Sequence, residues 1–225
     1  MSSIIFALLW LGLSVYAFGF APPNQPDTFS LIRDLSTGNW VGINPLIVAL
    51  FNIMGVWPMV YACLMFFDGR GQRIRAYPFV LGSFGVGAFT ILPYLVFRKS
   101  NPTFNGEKNR FLSVLDSRWT GVVLAVGGLI LLGYGLTQGN WADLINRWQS
   151  DRFIHVMSLD FAMLCLLFPV LMKDDMARRG WQHSGWFWPL ALLPFVGALA
   201  YLVLRPPIEQ PVAQSASALS PSSSQ

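Results

Sequence analysis

The chain has 225 residues, of which 54% are hydrophobic, 15% are aromatic and only 12% are charged, with a formal net charge of +4. Soluble domains carry about 25% charged residues, so this composition argues against a soluble globular protein. Basic residues do not form a cluster interleaved with stacking aromatic residues in any polar segment, which argues against binding to nucleic acid.

Six apolar runs follow one another along the chain, and each is close to the length of a membrane-spanning helix, about 20 residues. All fifteen Lys and Arg residues lie outside these runs, and Asp160 is the one acid of eleven that lies inside them. A soluble helix would instead keep a charged face toward water. The sequence therefore predicts an all-α, polytopic membrane bundle of about six transmembrane helices, at 4–20, 45–67, 77–97, 119–136, 153–172 and 186–204.

Two segments of the chain are nearly the same: LPYLVFRK at 92–99 and LAYLVLRP at 199–206. Each lies downstream of a short polar turn that opens with Asp, DGRGQRIR and DDMARRGWQH. Farther upstream, FSLIRDL resembles ADLINRW. These correspondences predict that a unit of three spans is duplicated. Because an odd number of spans reverses the direction of the chain, the second copy is expected to be inverted relative to the first.

The predicted organisation is a first three-span repeat at 1–98, a polar linker at 99–118, a second three-span repeat at 119–206 and a disordered, Ser-rich tail at 207–225. With six crossings, nine cations fall on the side opposite the termini and six on the side of the termini. The positive-inside rule then predicts that both termini lie outside the cytoplasm or in a lumen.

Asp160 is the first candidate for a functional residue, because a carboxylate inside a span is costly unless it is paired, solvated or protonated. It is interpreted either as a catalytic or ligand-binding acid or as a hydrogen-bonded residue that fastens two helices. His155 lies five positions earlier on another face of the helix and is expected at the membrane interface, bonded to a loop. Asn52 is expected to hydrogen-bond Asp160 if the inverted copies cross near their axis.

Small-residue stripes in two runs, GSFGVGAF and VGGLILLGYG, predict close approach between helices. No metal-ligand spacing, nucleophile elbow or phosphate-binding loop is present, and the chain has two His residues, His155 and His183. No metal site is predicted. The cofactor is left open between none and a pigment or lipid.

The spacing of His155 and Asp160, followed by Asp174, ARRG and an apolar run that ends in YLVLR, resembles the ABA4-like (neoxanthin-synthesis-linked) membrane proteins of plants and cyanobacteria. The resemblance covers about fifty residues of the second half, and a fainter one covers 45–98. It implies a multi-spanning protein of the cyanobacterial or plastid type, located in the cell inner membrane or in a thylakoid membrane.

Three functions stay open on the sequence alone. The first is a non-catalytic membrane protein that assists assembly of a membrane complex, such as a photosynthetic one, or binds a pigment or lipid in it. The second is a membrane enzyme that modifies an isoprenoid or carotenoid with Asp160 as acid or base. The third is a small-solute or proton-coupled transporter, which rests on the inverted repeat.

Overall fold

The computed structural model describes residues 3–104, 107–181, 183 and 185–208, and this part of the chain contains helices and no strands. Helix α1 continues into a π-helical segment, Tyr16–Phe20. The α-helices are α1 (Ser3–Val15), α2 (Thr28–Thr37), α3 (Pro45–Asp68), α4 (Tyr77–Val86), α5 (Ala88–Phe97), α6 (Arg110–Asp116), α7 (Arg118–Gln138), α8 (Trp141–Ser150), α9 (Arg152–Arg178), α10 (Phe187–Leu192) and α11 (Val196–Leu204).

Four helical segments are long and apolar enough to cross a membrane: Ser3–Phe20, α3, α7 and α9. The prediction of a helical membrane bundle is therefore supported. The prediction of six spans is not confirmed, because the third and sixth apolar runs do not form long helices.

Polar caps set the start of three of these long helices. Asn44 accepts a hydrogen bond from the Leu46 N–H at the start of α3, where Pro45 occupies the first turn. Ser117 and Asp151 accept backbone N–H groups in the same way at the starts of α7 and α9. Each cap satisfies N–H groups that the first turn of a helix leaves without partners.

The third apolar run folds back on itself. The chain reverses at Gly87, which has φ +46°, so that α4 and α5 form a helical hairpin. A Cβ atom added to Gly82 would lie 2.8 Å from Thr90 Cγ2, although eight residues in a straight helix would separate these positions by about 12 Å. At the open end of the hairpin, Gln72 Nε2 donates to the Lys99 carbonyl over 2.6 Å. Both ends of the run therefore lie on the same side of the bundle.

The sixth run has the same form, with α10 and α11 joined at Leu193–Phe195. Phe195 has φ +58°, and a Cβ atom on Gly197 would collide with the Leu190 carbonyl, so the two helices lie against each other. The Trp181 ring before α10 stacks on the Tyr201 ring in α11, with centroids 6.0 Å apart. Both ends of the sixth run therefore also lie on the same side of the bundle.

The predicted inversion of the second copy is not found. Arg178 Nη1 lies 3.2 Å from Asp68 Oδ1 at the end of α3, and Arg178 Nη2 lies 3.4 Å from Asp175 Oδ1 near the end of α9. The same ends of the two corresponding helices therefore meet at one end of the bundle. The physical reason is the hairpin: each half has two long helices and then a run that folds back, so the chain returns to the same end and the second half starts in the same direction as the first.

The two amphipathic helices, α2 and α8, lie at the opposite end of the bundle. Leu31 and Leu35 of α2 pack with Ile47 and Ile154, near the starts of α3 and α9. Helix α8 is joined to the start of α3, because Asn44 Nδ2 donates to the Asn140 carbonyl over 2.7 Å. We call this the amphipathic end, and we call the end that holds Asp68 and Asp175 the charged end.

The cations are distributed unequally between these ends. Arg33, Arg147 and Arg152 lie at the amphipathic end, and the other twelve of the fifteen Lys and Arg residues lie at the charged end, which also holds the start of α1 and residues 205–208. The predicted third span would have placed Arg70, Arg73 and Arg75 on one side of the membrane and Arg98 and Lys99 on the other. Because this run is a hairpin, all five lie at the same end. The predicted distribution of nine cations on one side and six on the other is therefore wrong.

Glycine residues at every seventh position of α7 allow other helices to approach closely. A Cβ atom would lie 2.5 Å from the Leu202 carbonyl oxygen at Gly121, 2.8 Å from the Phe195 ring at Gly128 and 2.6 Å from Ala49 Cβ at Gly135. Close approach at Gly128 was predicted. Gly133, which was also predicted to serve this purpose, has nothing within 4 Å of such an atom.

The predicted disordered tail is ordered at its first residues. Ile208 is buried in a small cluster with Phe67 and Leu112, and its N–H donates to Asp116 Oδ2 over 3.0 Å. Residues 209–225 of that prediction lie outside the described residues.

Candidate functional site

Asp160 lies inside α9 and contacts the tip of the first hairpin. It is 5% exposed, about 12 Å along the helix from Arg152 at 1.5 Å per residue. Its Oδ1 accepts a hydrogen bond of 2.7 Å from the backbone N–H of Ala88, the first residue of α5. The first N–H groups of a helix have no partner inside it, and this end of the helix attracts negative charge. Asp160 therefore caps a helix that begins inside the bundle.

Gly87 makes this contact possible. Its φ of +46° is a left-handed value that disfavours other residues, and a Cβ atom there would overlap the Asp160 carboxylate. The backbone can therefore turn at this position and approach the carboxylate only because the residue has no side chain.

The tip of the second hairpin is held by aromatic rings instead of a carboxylate. The Phe195 ring lies 5.5 Å from the Trp57 ring and 6.3 Å from the Phe161 ring, centroid to centroid. Phe195 and Ala88 hold the same place in their halves, 107 positions apart. Trp57 is fully buried, and its Nε1 has no hydrogen-bond partner among the described residues.

His155 has two partners at the amphipathic end. Its Nδ1 lies 2.7 Å from the Trp148 carbonyl oxygen, and its Nε2 lies 2.9 Å from the Tyr16 hydroxyl. Because a carbonyl can only accept, Nδ1 carries the proton, and in the neutral ring Nε2 then accepts from Tyr16. The ring also stacks on Trp148, with centroids 4.4 Å apart. His155 therefore joins α9 to α8 and to the π-helical segment that follows α1.

Asn52 does not meet Asp160. Its Nδ2 donates over 2.8 Å to the Val48 carbonyl one turn earlier in α3. The predicted hydrogen bond between Asn52 and Asp160 is not formed, because it depended on an inverted crossing that the fold does not have.

A cluster of buried charges that was not predicted from the sequence lies at the charged end. In the first half it is centred on Asp68, which is fully buried. Asp68 Oδ2 accepts from the Tyr94 hydroxyl over 2.6 Å and from Arg98 Nε over 2.8 Å, and Oδ1 accepts from Arg98 Nη2 over 2.5 Å. The end of α3 is thus tied to the returning arm of the first hairpin.

The second half repeats these contacts around Asp175. Its Oδ2 accepts from the Tyr201 hydroxyl over 2.6 Å, from Arg205 Nη1 over 3.3 Å and from Arg179 Nε over 2.8 Å. Tyr and Arg follow Asp by the same 26 and 30 positions in both halves. This shared spacing was the signal in the sequence that could have identified the cluster.

Further charged residues surround Asp68 and Asp175. Asp116 accepts from Lys108 Nζ over 2.5 Å and from Arg179 Nη1 over 2.5 Å. Asp174 is paired with Arg98 and accepts from the Ser100 hydroxyl over 2.9 Å. The charged cluster thus consists of four carboxylates and five cations: Asp68, Asp116, Asp174, Asp175, Arg98, Lys108, Arg178, Arg179 and Arg205.

The carboxylates keep these buried guanidinium groups charged. Burial alone would lower the pKa of Arg179, but Asp175 and Asp116 beside it hold that pKa above its ordinary value. Burial would likewise lower the pKa of Arg98, and Asp68 and Asp174 hold it above its ordinary value. The cluster is therefore a set of mutually satisfied ions.

Within the described residues, no group of three or more His, Cys, Asp or Glu side chains is arranged to hold a metal ion. No family model, curated protein or solved structure matches the chain.

Proposed function

We propose that this chain is an integral membrane protein that acts by binding, not by catalysis, and that it assists assembly of a membrane complex or holds a pigment or lipid in it. The observation that carries the proposal is that Asp160 has a structural partner inside the chain. This carboxylate, the one acid in the middle of an apolar run, stabilises the start of α5. The charges of the cluster are likewise satisfied within the chain.

The outer faces of α1 and α7 offer the surface for such binding. Of the four long helical segments these two are the least buried in the bundle. Their large exposed apolar residues form two stripes: Ile4, Leu8, Leu11 and Val15 on α1, and Val123, Val126, Leu129 and Ile130 on α7. Lipid tails, a carotenoid or another apolar helix would each match this surface.

The distribution of charge supports one orientation. Cytoplasmic loops carry an excess of Lys and Arg, and twelve of the fifteen cations lie at the charged end. We infer that this end, with the start of α1 and residues 205–208, faces the cytoplasm, in the cell inner membrane or on the corresponding side of a thylakoid membrane.

An enzyme that acts on an isoprenoid or carotenoid is the second candidate. It is favoured by the position of Asp160 at a break in the helices, where among the described residues one of its two oxygens, Oδ1, is hydrogen-bonded. The transporter alternative rested on an inverted repeat, and it is not proposed further.

A deletion strain complemented with either the natural chain or the Asp160→Asn variant separates the two candidates. Asn retains a carbonyl oxygen that can accept the Ala88 N–H, so the variant is expected to accumulate. For a binding protein, native gels should show loss of a membrane complex in the deletion strain and its recovery with both forms. If pigment profiles instead show a product that the natural chain restores and Asp160→Asn does not, the protein is the enzyme.

A further inference from the structure

A cavity of about 320 Å³ with both polar and apolar lining lies at the open end of the first hairpin, next to the charged cluster. It is formed where the chain enters α4 and where it leaves α5, and its lining includes Gln72, Arg73, Phe97, Lys99 and Ser100. None of these residues belongs to the site around Asp160.

Hydrogen bonds between the two chain segments fix the shape of the cavity. The Gln72 side chain pairs with the backbone of Lys99 in both directions, donating to the carbonyl over 2.6 Å and accepting from the N–H over 2.9 Å. Asn101 Nδ2 donates over 2.8 Å to the carbonyls of Asp68 and Arg70. The cavity is therefore part of the folded hairpin.

The charge of the cavity is positive and uncompensated. Arg73 and Lys99 line it, both are exposed, and neither forms an ion pair within the part of the chain that the structure describes. Asp174, which accepts a hydrogen bond from the lining residue Ser100, is already paired with Arg98. An anion that enters the cavity would therefore meet the two cations, Arg73 and Lys99.

The apolar wall of the cavity indicates what carries that anion. Phe97, the last residue of α5, is 66% exposed and lies at the end of the third apolar run. A ligand with a charged group beside Arg73 and Lys99 and an apolar chain beside Phe97 would match both walls. We propose that this cavity binds the phosphate of an anionic phospholipid headgroup. The site does not depend on the assembly role proposed above.

Native mass spectrometry of the full-length protein tests this proposal. The protein, purified in detergent, is offered equal amounts of phosphatidylglycerol and phosphatidylcholine. We expect retention of phosphatidylglycerol over phosphatidylcholine. The double variant Arg73→Gln/Lys99→Gln removes both cations of the cavity and should retain phosphatidylglycerol about tenfold more weakly, which corresponds to about 1.4 kcal/mol. The matched control, Arg110→Gln/Arg118→Gln, removes two exposed cations from the same end outside the cavity and should retain the lipid.

Two results would overturn the proposal. One is equal retention of phosphatidylglycerol by the natural chain and by Arg73→Gln/Lys99→Gln, or an equal loss in the control, because the lipid would then respond to overall charge. The other is binding of inorganic phosphate, added in a parallel titration, without retention of phosphatidylglycerol, because the site would then take a free anion. Thermal unfolding of each variant verifies that the fold is intact.

Discussion

At the scale of single residues, Asp160 shows how an apolar bundle accommodates one carboxylate without a cationic partner. Its partner is a backbone N–H at the start of a helix, where the peptide dipoles favour negative charge. The sequence predicted that this carboxylate must be paired, solvated or protonated. It did not predict the partner, because Ala88 carries no polar side chain that could mark it.

Removal of the Asp160 carboxylate should destabilise the first hairpin. Asp160→Ala leaves the Ala88 N–H buried without a partner, and we expect a loss of about 1–3 kcal/mol in the free energy of unfolding. Asp160→Asn keeps an acceptor and should lose less. Reversible unfolding in mixed micelles measures both. Equal stability of Asp160→Ala and the natural chain would show that the contact contributes nothing.

Gly87 should tolerate no side chain. Gly87→Ala imposes backbone strain of about 1–3 kcal/mol, in addition to its collision with Asp160. Gly85→Ala is the matched control, because it lies two residues away in helical conformation with nothing within 4 Å of the added atom. The same unfolding measurement compares them. A loss that is as large for Gly85→Ala would rule out the tip geometry as the cause.

At the scale of elements, the charged cluster ties the ends of α3 and α9 to the two hairpins. Arg178 joins the halves, because it contacts both Asp68 and Asp175. Its Nε has no partner among the described residues, so the side chain is held by its Nη groups.

Asp175→Asn should be among the most damaging conservative substitutions in the chain. It leaves Arg179 and Arg205 buried without their shared counter-charge, and breaking a buried ion pair costs about 3–5 kcal/mol. The control is Asp143→Asn, which breaks an ion pair with Arg147 on the surface of α8, where both side chains are about 40% exposed. Exposed pairs contribute about 0–1 kcal/mol, so equal losses for the two variants would contradict this account.

The sequence predicts those features of the elements that depend on neighbouring residues, and it does not predict those that depend on distant contacts. Apolar length and the absence of charge located all six runs, because those properties are local. The same properties cannot distinguish a crossing helix from a hairpin, since both are surrounded by apolar groups. The reversals at Gly87 and Phe195 depend on contacts with Asp160 and Trp57, which lie far away in the chain.

The candidate functional residues divide in the same way, between those marked by local sequence properties and those that depend on contacts distant in the sequence. Asp160 and His155 were identified as buried or interfacial polar residues from their positions alone. Asp68, Asp175, Arg98 and Arg205 were assigned to loops, because each lies just outside an apolar run. Only the equal spacing of Asp, Tyr and Arg in the two halves could have shown that these charges meet in the folded protein.

At the scale of the whole molecule, the described part of the chain consists of two similarly oriented halves, each with two helical segments long enough to cross a membrane and one hairpin. This arrangement places both hairpins, the charged cluster and twelve of the fifteen cations at one end. Each half pairs most of its buried charges internally, and two further ion pairs join the halves, Arg98 with Asp174 and Arg178 with Asp68.

Cysteine accessibility in intact membranes tests this topology most directly, in a background with Cys63→Ala and Cys165→Ala. Single cysteines are placed at the exposed positions Arg75 and Lys99, on either side of the first hairpin, and at Arg33 in α2. The fold predicts that a membrane-impermeant reagent labels Arg75→Cys and Lys99→Cys from the same side, the cytoplasmic one, and Arg33→Cys from the other. Labelling of Arg75→Cys and Lys99→Cys from opposite sides would show that the third run crosses the membrane and would contradict the account.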